Sequence, residues 1–452
     1  MATRLVIIGG GPAGNQAATQ AAKLGADVTI IERDIIGGAA HLWDCIPSKA
    51  MIASGGALSQ LRAARGMGLT EVTASLDSEA LRVRNADIEA RLERSITGLL
   101  ESQSVRLIRG TGRLVGTHEV VADSEEGPVE LEADAILLST GSRPRIPEWA
   151  PVDGDRVLTT RDAYPPPTMP EHLVVIGSGV TGVEFVHMFS SFGCDVTLIV
   201  SRQQVLPRKD PEVAAALEEN FIERGVKLLM GARAEGIDVT DDGITVRCDD
   251  GRRPTGSHAL LAIGSIPNSD KLGLETAGVV TDGGYVTVDR HCRSNIPHIY
   301  AAGDLSGKLP LSSVASMQGR KIAEHVMGLQ ARAHKHLDYD KAASAIFTEP
   351  EIADVGLAEA DAFAEGRKIR VTKVPFSSNA KALILDDPRG FVKILSDPAT
   401  GVVLGGSIVG RNAAELISVI ALAVTAGLRV SDIHESLLVH PALAEALAEA
   451  AE

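Results

Sequence analysis

Several features are scarce in this chain of 452 residues, and each scarcity excludes a class of protein. There are only 4 cysteines, and their spacing suggests neither a disulfide framework nor a zinc site, so no metal site is predicted. Aromatic residues make up 3% of the chain, and the formal net charge is -15. Such a chain lacks the basic face that nucleic acids require, so no nucleic-acid partner is expected.

Long apolar runs are also missing. The longest, residues 416–428, is shorter than the roughly 20 residues that a membrane span needs. We interpret it as a helix buried in a core or in a subunit interface. A strand is predicted to begin by Arg4, so no signal peptide is expected, and the few cysteines fit a reducing compartment. The protein is therefore expected in the cytoplasm, without a membrane span.

A nucleotide-binding pattern stands at the start of the chain. A short apolar strand runs into the loop G-G-G-P-A-G at residues 9–14, and a helix and a second strand ending in Glu32 follow. Gly9, Gly11 and Gly14 let the backbone approach a pyrophosphate at the helix N-terminus. Glu32 can accept hydrogen bonds from a ribose. This order of elements favours a nucleotide site over a merely structural turn.

The same pattern recurs in the middle of the chain. An apolar strand precedes the loop G-S-G-V-T-G, which contributes Gly177, Gly179 and Gly182, and a helix and another strand follow. Two such patterns imply two dinucleotides or an internal duplication. The second copy ends in Ser201 and Arg202, where an acid would repel the extra phosphate of NADPH. Arg202 could pair with that phosphate, or it is a solvated surface charge.

The stretch G-G-A-A-H-L-W-D-C-I-P-S-K, residues 37–49, lies between the two patterns. Pro47 suits the first turn of a helix, which places Cys45 at a helix N-terminus, where thiolate is favoured over thiol. The stretch resembles the motif G-G-T-C-x-x-x-x-C-x-P-S-K of the pyridine nucleotide–disulfide oxidoreductases, the family of lipoamide dehydrogenase and glutathione reductase. The two cysteines of that motif form a redox disulfide beside the flavin, but Ala40 stands at the first position here.

Further motifs of this family follow in the expected order along essentially the whole chain. Residues 139–142, S-T-G-S, resemble the A-T-G motif that packs against the flavin nucleotide. Residues 299–304 resemble the strand whose final aspartate, Asp304 here, bonds the ribityl chain of FAD. Residues 264–268 resemble G-R-x-P-N, with Ser265 in place of the arginine.

The resemblance implies two sets of cofactor contacts. The FAD contacts are expected at Gly9, Gly11, Gly14, Glu32, Gly38, Lys49, Gly112, Thr140, Gly141, Ser142, Gly303, Asp304 and Ser312. The contacts with NADPH or NADH are expected at Gly177, Gly179, Gly182, Ser201, Arg202 and Gly264.

The resemblance also implies an α/β fold with two Rossmann-like dinucleotide-binding domains and a C-terminal α+β dimerisation domain. The FAD domain is expected to be discontinuous, as residues 1–150 and 273–342, with the NAD(P) domain inserted as residues 151–272. A proline-rich segment, residues 143–170, fits the crossing between them. Residues 343–452 are expected to dimerise, so the partner is a second copy of the chain.

Four side chains are implied around the reaction. Lys49 and Glu184 match the lysine and glutamate that the family places next to the flavin, and a buried pair is costly unless both charges are satisfied. His440 and Glu445, in H-P-A-L-A-E, resemble a His–Glu pair that the family delivers to the partner subunit's flavin. Glu445 can orient the imidazole and raise its basicity, although His440 could equally be kept for packing.

Ala40 decides which reaction is expected. Without the first cysteine the dithiol relay cannot operate, so electrons must pass from the flavin directly to an acceptor such as a quinone. One branch of the family shares G-G-A-A-x-x-x-D-C-x-P-S-K and acts as NAD(P)H:quinone reductase, and this chain looks most like that branch. Cys45 is then a spectator, a thiolate that tunes the flavin, or a residue that becomes a sulfenic acid.

Two other functions stay open on the sequence. Soluble pyridine nucleotide transhydrogenase also lacks the full cysteine pair, but it keeps the first cysteine, which reverses the pattern here. His41 and Trp43 match its His-Trp only faintly. A non-catalytic subunit of a dehydrogenase complex is the other alternative, but it would not need to retain Lys49, Glu184 and Asp304.

Overall fold

The computed structural model describes residues 2–70, 73–329 and 336–452. Within these residues, the strands in chain order are β1 (Arg4–Ile8), β2 (Asp27–Glu32), β3 (Arg106–Leu114), β4 (Glu119–Ser124), β5 (Gly127–Glu132), β6 (Ala135–Leu138), β7 (Ser142–Pro144), β8 (Val157–Thr159), β9 (His172–Ile176), β10 (Asp195–Val200), β11 (Lys227–Met230), β12 (Ala234–Thr240), β13 (Gly243–Cys248), β14 (Thr255–Gly256), β15 (His258–Leu261), β16 (Ser265–Pro267), β17 (Thr281–Asp282), β18 (Tyr285–Val286), β19 (Ile299–Ala301), β20 (Ser344–Ile346), β21 (Ile352–Gly356), β22 (Arg370–Pro375), β23 (Phe391–Ser396) and β24 (Val403–Val409).

The α-helices of the same residues are α1 (Pro12–Lys23), α2 (Ile46–Ala63), α3 (Ser78–Ser102), α4 (Val180–Phe192), α5 (Pro211–Glu223), α6 (Ser312–Val326), α7 (Glu359–Ala364), α8 (Ala380–Ile384), α9 (Ala413–Ala426), α10 (Val430–His434) and α11 (Glu445–Glu449).

The chain forms two compact units, and each is assembled from three segments. The first unit comprises Met1–Ser48, Glu79–Arg145 and Gly264–Tyr339. The second unit comprises Lys49–Ser78, Ile146–Ile263 and Asp340–Glu452. The finer division into FAD, NAD(P) and dimerisation domains stays a prediction.

The first unit is built on a seven-stranded sheet in the order β19-β6-β1-β2-β3-β4-β5. The strands from β19 to β3 pair in parallel, and β4 and β5 extend the edge in antiparallel fashion. Alternate residues of β1 enter different cores: Leu5 and Ile7 belong to the one that contains residues of α1 and α6, whereas Val6 and Ile8 belong to the other. The carboxyl end of β1 leads through residues 9–11 directly into α1.

The second unit contains a parallel five-stranded sheet, β11-β10-β9-β15-β8, and an antiparallel five-stranded sheet, β20-β21-β24-β23-β22. A three-stranded sheet, β12-β13-β14, adds to the parallel part. The loop after β9 opens α4, as the loop after β1 opens α1 in the first unit. Helix α9 packs against β21 and β24 of the antiparallel sheet. The predicted α/β fold class is confirmed.

The apolar helix predicted near the end of the chain has other boundaries in the structure. The apolar helix predicted at residues 416–428 is α9, Ala413–Ala426, and only one face of it is buried, because Leu422 is 64% exposed. Among the residues that the structure describes, none of the helices has both the length and the hydropathy needed to cross a membrane.

Candidate active site

The loop after β1 is shaped for a ligand at the start of α1. Gly9 has φ of +104°, and a Cβ on Gly14 would lie 2.1 Å from the Gly9 carbonyl oxygen, so both positions require glycine. No described atom outside the neighbouring residues lies within 4 Å of the Cβ position of Gly11, which directly precedes α1. The free N–H groups of a first helical turn attract phosphate. These residues therefore fit a pyrophosphate.

Glu32 ends β2 and ties the glycine loop to the neighbouring strand. Its carboxylate accepts hydrogen bonds from the Gly10 N–H at 2.6 Å and from the Asp34 N–H at 2.8 Å. Burial raises the pKa of Glu32. Each carboxylate oxygen accepts one of these backbone hydrogen bonds and has a second acceptor position, so the carboxylate can still receive a ribose hydroxyl.

Asp304 is hydrogen-bonded to Ser142, and this bond joins the motif at residues 299–304 to the motif at residues 139–142. The Ser142 hydroxyl donates to its carboxylate at 2.6 Å, and the preceding Gly303 N–H donates to the Gln318 side chain of α6 at 2.8 Å. The structure thus brings together β7, the turn after β19 and α6 in the first unit. The remaining predicted FAD contacts on this unit are Gly38, Gly112, Thr140, Gly141 and Ser312. Of these, Gly112 lies within β3, packed beside Ile8.

The segment before Cys45 has a conformation that the sequence did not predict. Ala40–Asp44 forms a turn of π-helix, and α2 begins at Ile46, so the predicted position of Cys45 at a helix N-terminus is confirmed. Cys45 Sγ lies 3.3 Å from the Oγ of Ser312, the first residue of α6. The sulfur therefore lies beside the first residue of α6, and Cys45 directly precedes α2.

Lys49 and Glu184 form an ion pair within the second unit. Lys49 Nζ lies 2.8 Å from Glu184 Oε2, and the Glu184 side chain is 8% exposed whereas that of Lys49 is 32% exposed. The other oxygen of Glu184 accepts a hydrogen bond from the Phe347 N–H at 3.0 Å. Both carboxylate oxygens therefore have partners, which is the condition for burying such a pair at tolerable cost.

The second glycine loop repeats the geometry of the first. Gly177 has φ of +110°, and a Cβ on Gly182 would lie 1.9 Å from the Gly177 carbonyl oxygen. Around the Cβ position of Gly179 there is open space within 4 Å. The predicted contact Gly264 belongs to the first unit, and the space around its Cβ position is open as well. The first helical turn of α4 is thus arranged like that of α1, and it fits a second pyrophosphate.

The strand end that follows this loop carries exposed cationic side chains. Ser201 and Arg202 directly follow β10 and are exposed, and Arg208 is exposed nearby in the sequence. Among the described residues, no carboxylate forms an ion pair with Arg202 or Arg208. Both guanidinium groups are therefore available to an anionic ligand.

His440 and Glu445 lie together near the end of the chain. His440 Nδ1 lies 2.8 Å from Glu445 Oε1, and the Ala442 N–H donates to Glu445 Oε2 at 2.9 Å. The Ala442 N–H, and after it the His440 ring, lower the pKa of Glu445. The His440 side chain is 74% exposed, so its second ring nitrogen, Nε2, can form a hydrogen bond with another molecule.

Two family models match this chain. The model described as pyridine nucleotide-disulphide oxidoreductase matches residues 3–319. The chain belongs to this family. The dimerisation domain of the same family matches residues 342–451. As a member of the family, the protein is a flavin-dependent oxidoreductase that binds FAD and uses NAD(P)H.

Relatives match the chain over nearly its whole length. A protein of Mycobacterium tuberculosis named NAD(P)H dehydrogenase (quinone) is 42% identical over 100% of this chain and 94% of its own length. Dihydrolipoyl dehydrogenase of Zymomonas mobilis is 34% identical over 98% of this chain and 96% of its own length. The crystal structure of LpdA from Mycobacterium tuberculosis is also 42% identical, covers 99% of both chains and superposes with a TM-score of 0.93. The HOCl-induced flavoprotein disulfide reductase RclA from Escherichia coli is 25% identical, covers 99% of both chains, and has a TM-score of 0.87.

Sequence reasoning found the Lys49–Glu184 pair but missed its neighbour Phe347, and it also missed the contact between Ser312 and Cys45. Of these two residues, only Ser312 was predicted to lie near the flavin. No local signal could show these contacts, because they join residues far apart in the chain. The roles assigned to Lys49, Glu184 and His440 stay predictions.

Proposed function

We propose that this protein transfers electrons from NAD(P)H through FAD directly to a quinone-type acceptor, without a redox disulfide. The observation that carries this proposal is Ala40, which occupies the position of the first redox cysteine. The sulfur of Cys45 lies beside the hydroxyl group of Ser312, and a hydroxyl group cannot form a disulfide. The name of the relative from Mycobacterium tuberculosis, NAD(P)H dehydrogenase (quinone), supports the same acceptor class.

We assign some residues of this chain to cofactor binding and others to the stabilisation of charge during the reaction. FAD, when bound, supplies the hydride-accepting and electron-donating chemistry. The two glycine loops hold pyrophosphates, and Glu32 and Asp304 orient the ribose and the ribityl chain. We assign Lys49 and Glu184 to the nicotinamide side, where an ammonium held in place stabilises negative charge without reorganisation during the reaction. Cys45 carries no electrons in this scheme.

Protonation of the acceptor is assigned to His440 from a second subunit. Its Nδ1 is held by Glu445, so the opposite nitrogen can deliver a proton to an oxygen of the acceptor. A homodimer fits the exposed apolar side chains of the dimerisation domain. These include Leu383, Ile384, Leu422, Leu437 and Val439, which are 57%, 58%, 64%, 102% and 75% exposed in the single chain. The dimer is proposed to act in the cytoplasm.

A comparison of acceptors with the purified protein tests the proposal. NADPH and NADH are each supplied with a benzoquinone, with thio-NAD and with lipoamide, and nucleotide oxidation is followed. Rapid turnover with the quinone and none above background with lipoamide is expected. Faster reduction of thio-NAD than of any quinone would instead support a transhydrogenase, and robust lipoamide turnover would show that another thiol replaces the missing one.

The choice of nucleotide should depend on the end of β10. Because Ser201 does not repel a phosphate and Arg202 is available to bind one, the wild type is expected to accept NADPH. Ser201→Glu should shift the ratio of kcat/KM toward NADH by about tenfold or more, since a charge-assisted phosphate contact contributes roughly 1.5–3 kcal/mol. Steady-state kinetics with both nucleotides measure the shift.

Ser201→Gln is the matched control, because it adds similar bulk without the charge. It should change the preference much less than Ser201→Glu does. A wild type that oxidises NADH alone would refute the proposed role of Ser201 and Arg202.

A further inference from the structure

A third residue touches both members of the Lys49–Glu184 pair. Phe347 donates its backbone N–H to Glu184 Oε1 at 3.0 Å, and Lys49 Nζ lies 4.8 Å from the centroid of its ring. Lys49 Nζ itself lies 2.8 Å from the other oxygen of Glu184. An ammonium within about 6 Å of a ring centroid is attracted by the negative face of the ring. Phe347 thus contacts the anion through its backbone and the cation through its side chain.

These contacts restrict the pair in different ways. Glu184 is buried, so its Oε1 would lose a partner that water cannot easily replace if the Phe347 N–H moved away. Lys49 is less buried, and its long side chain has many rotamers to lose when it is held at one carboxylate oxygen. The ring covers one side of the ammonium and so favours the rotamer that reaches Glu184.

The segment that carries Phe347 is itself fixed to the helix that carries Lys49. Glu349 Oε2 accepts a hydrogen bond from the Ser59 hydroxyl of α2 at 2.7 Å, and Glu349 Oε1 accepts one from Arg389 at 2.9 Å. Residues 347–349 therefore connect α2, through Ser59, with α4, through Glu184. This connection sets where the two helices present their charged side chains to each other.

We propose that Phe347 is a positioning residue that holds Lys49 against Glu184 for hydride transfer. The inference rests on the proposed role of this pair on the nicotinamide side. Phe347 belongs to the segment matched by the dimerisation domain, residues 342–451. That domain therefore supplies, within the same chain, a part of the machinery that orients the reactive charges, in addition to its role in assembly.

The second unit contains a matched control. Lys373 Nζ lies 4.1 Å from the ring centroid of Phe391 and 2.5 Å from Glu212, so it too is held between a carboxylate and a ring. Neither Lys373 nor Phe391 is among the predicted cofactor contacts. The same substitution can therefore be made in both arrangements, and only one of them should affect the reaction.

Chemical labelling of the FAD-loaded protein tests the holding role without using activity. Phe347→Leu and Phe391→Leu are acetylated with acetic anhydride, and the rates at Lys49 and Lys373 are measured by peptide mass spectrometry. Phe347→Leu should raise the rate at Lys49 by about twofold to thirtyfold, the range of a lost cation–π contact, and leave Lys373 unchanged. Phe391→Leu should do the reverse. An unchanged Lys49 rate in Phe347→Leu would overturn the proposal.

Anaerobic mixing with NADPH tests the consequence for the reaction. In Phe347→Leu, saturating NADPH should bleach the flavin about twofold to thirtyfold more slowly than in the wild type. The NADPH concentration that gives half the maximal rate should change little. Phe347→Tyr, which keeps the ring, and Phe391→Leu should stay within about twofold of the wild type. Phe347→Met serves as a second ring-free variant of comparable volume in case the leucine variant folds poorly.

Bleaching of Phe347→Leu and Phe347→Met at the wild-type rate would overturn the proposal, as would equal slowing in Phe391→Leu. No acceptor is present in this experiment. A failure of the quinone assignment would therefore show only in the acceptor comparison, whereas a failure of the Phe347 inference shows here.

Discussion

Replacing Lys49 with methionine is expected to slow the bleaching of bound FAD by NAD(P)H by roughly 100-fold to 1000-fold, the usual cost of removing one preorganised polar group from a reaction centre. Methionine keeps most of the length and apolar volume of lysine, so the substitution removes chiefly the charge. Glu184 Oε2 then loses the partner that lies 2.8 Å away. Anaerobic stopped-flow spectroscopy of the flavin measures the rate directly.

The effect should come from charge at the reaction centre and not from general loss of stability. Removing one member of a buried ion pair does destabilise a protein, so the FAD content and the unfolding midpoint of Lys49→Met must be measured beside the rate. Lys373→Met is the control, because Lys373 also joins a carboxylate, Glu212, and an aromatic ring, that of Phe391. A bleaching rate of Lys49→Met within a few-fold of this control would contradict the role assigned to Lys49.

Replacing His440 with alanine is expected to lower quinone turnover by roughly a hundredfold, the lower range for losing a general acid. Bleaching by NAD(P)H should be almost unchanged, because proton delivery belongs to the acceptor step. Comparison of steady-state turnover with the anaerobic bleaching rate separates the two steps. If His440 only packs, both rates should stay near those of the wild type.

A mixture of two inactive variants tests whether the site is shared between subunits. In a hybrid of Lys49→Met and His440→Ala subunits, one site receives an intact Lys49 from one chain and an intact His440 from the other. Exchange of subunits should therefore restore up to one active site per hybrid dimer. Fully active, stable monomers would contradict a site that needs the second copy.

The parts of this molecule that local sequence could reveal are the two nucleotide loops. Glycines such as Gly9 and Gly14 are required by steric contacts within a few residues or with an adjacent strand, and the flanking strands have a clear apolar pattern. The same holds for the start of α2 at the Cys45–Lys49 motif, because Pro47 marks the first helical turn. The family resemblance then placed Glu184 on α4, where its pairing with Lys49 is observed.

Contacts between distant segments could not be predicted in the same way. Phe347 is separated from Glu184 by 163 positions, and Ser312 from Cys45 by 267. Composition and periodicity say nothing about which residues meet across such distances. The π-helical turn at Ala40–Asp44 was missed because its short sequence has no distinctive pattern. The exposed face of α9 was also unpredictable, since the helix is apolar nearly all around.

An anaerobic titration of the FAD-loaded protein with NADPH tests the central claim most directly. A flavin accepts two electrons, and a redox disulfide beside it would accept two more before reduction is complete. Because Ala40 leaves Cys45 without the second cysteine of the motif, reduction should be complete after one equivalent of NADPH per FAD. A break in the titration at two equivalents would show that a dithiol takes part in this protein and would contradict direct transfer from flavin to acceptor.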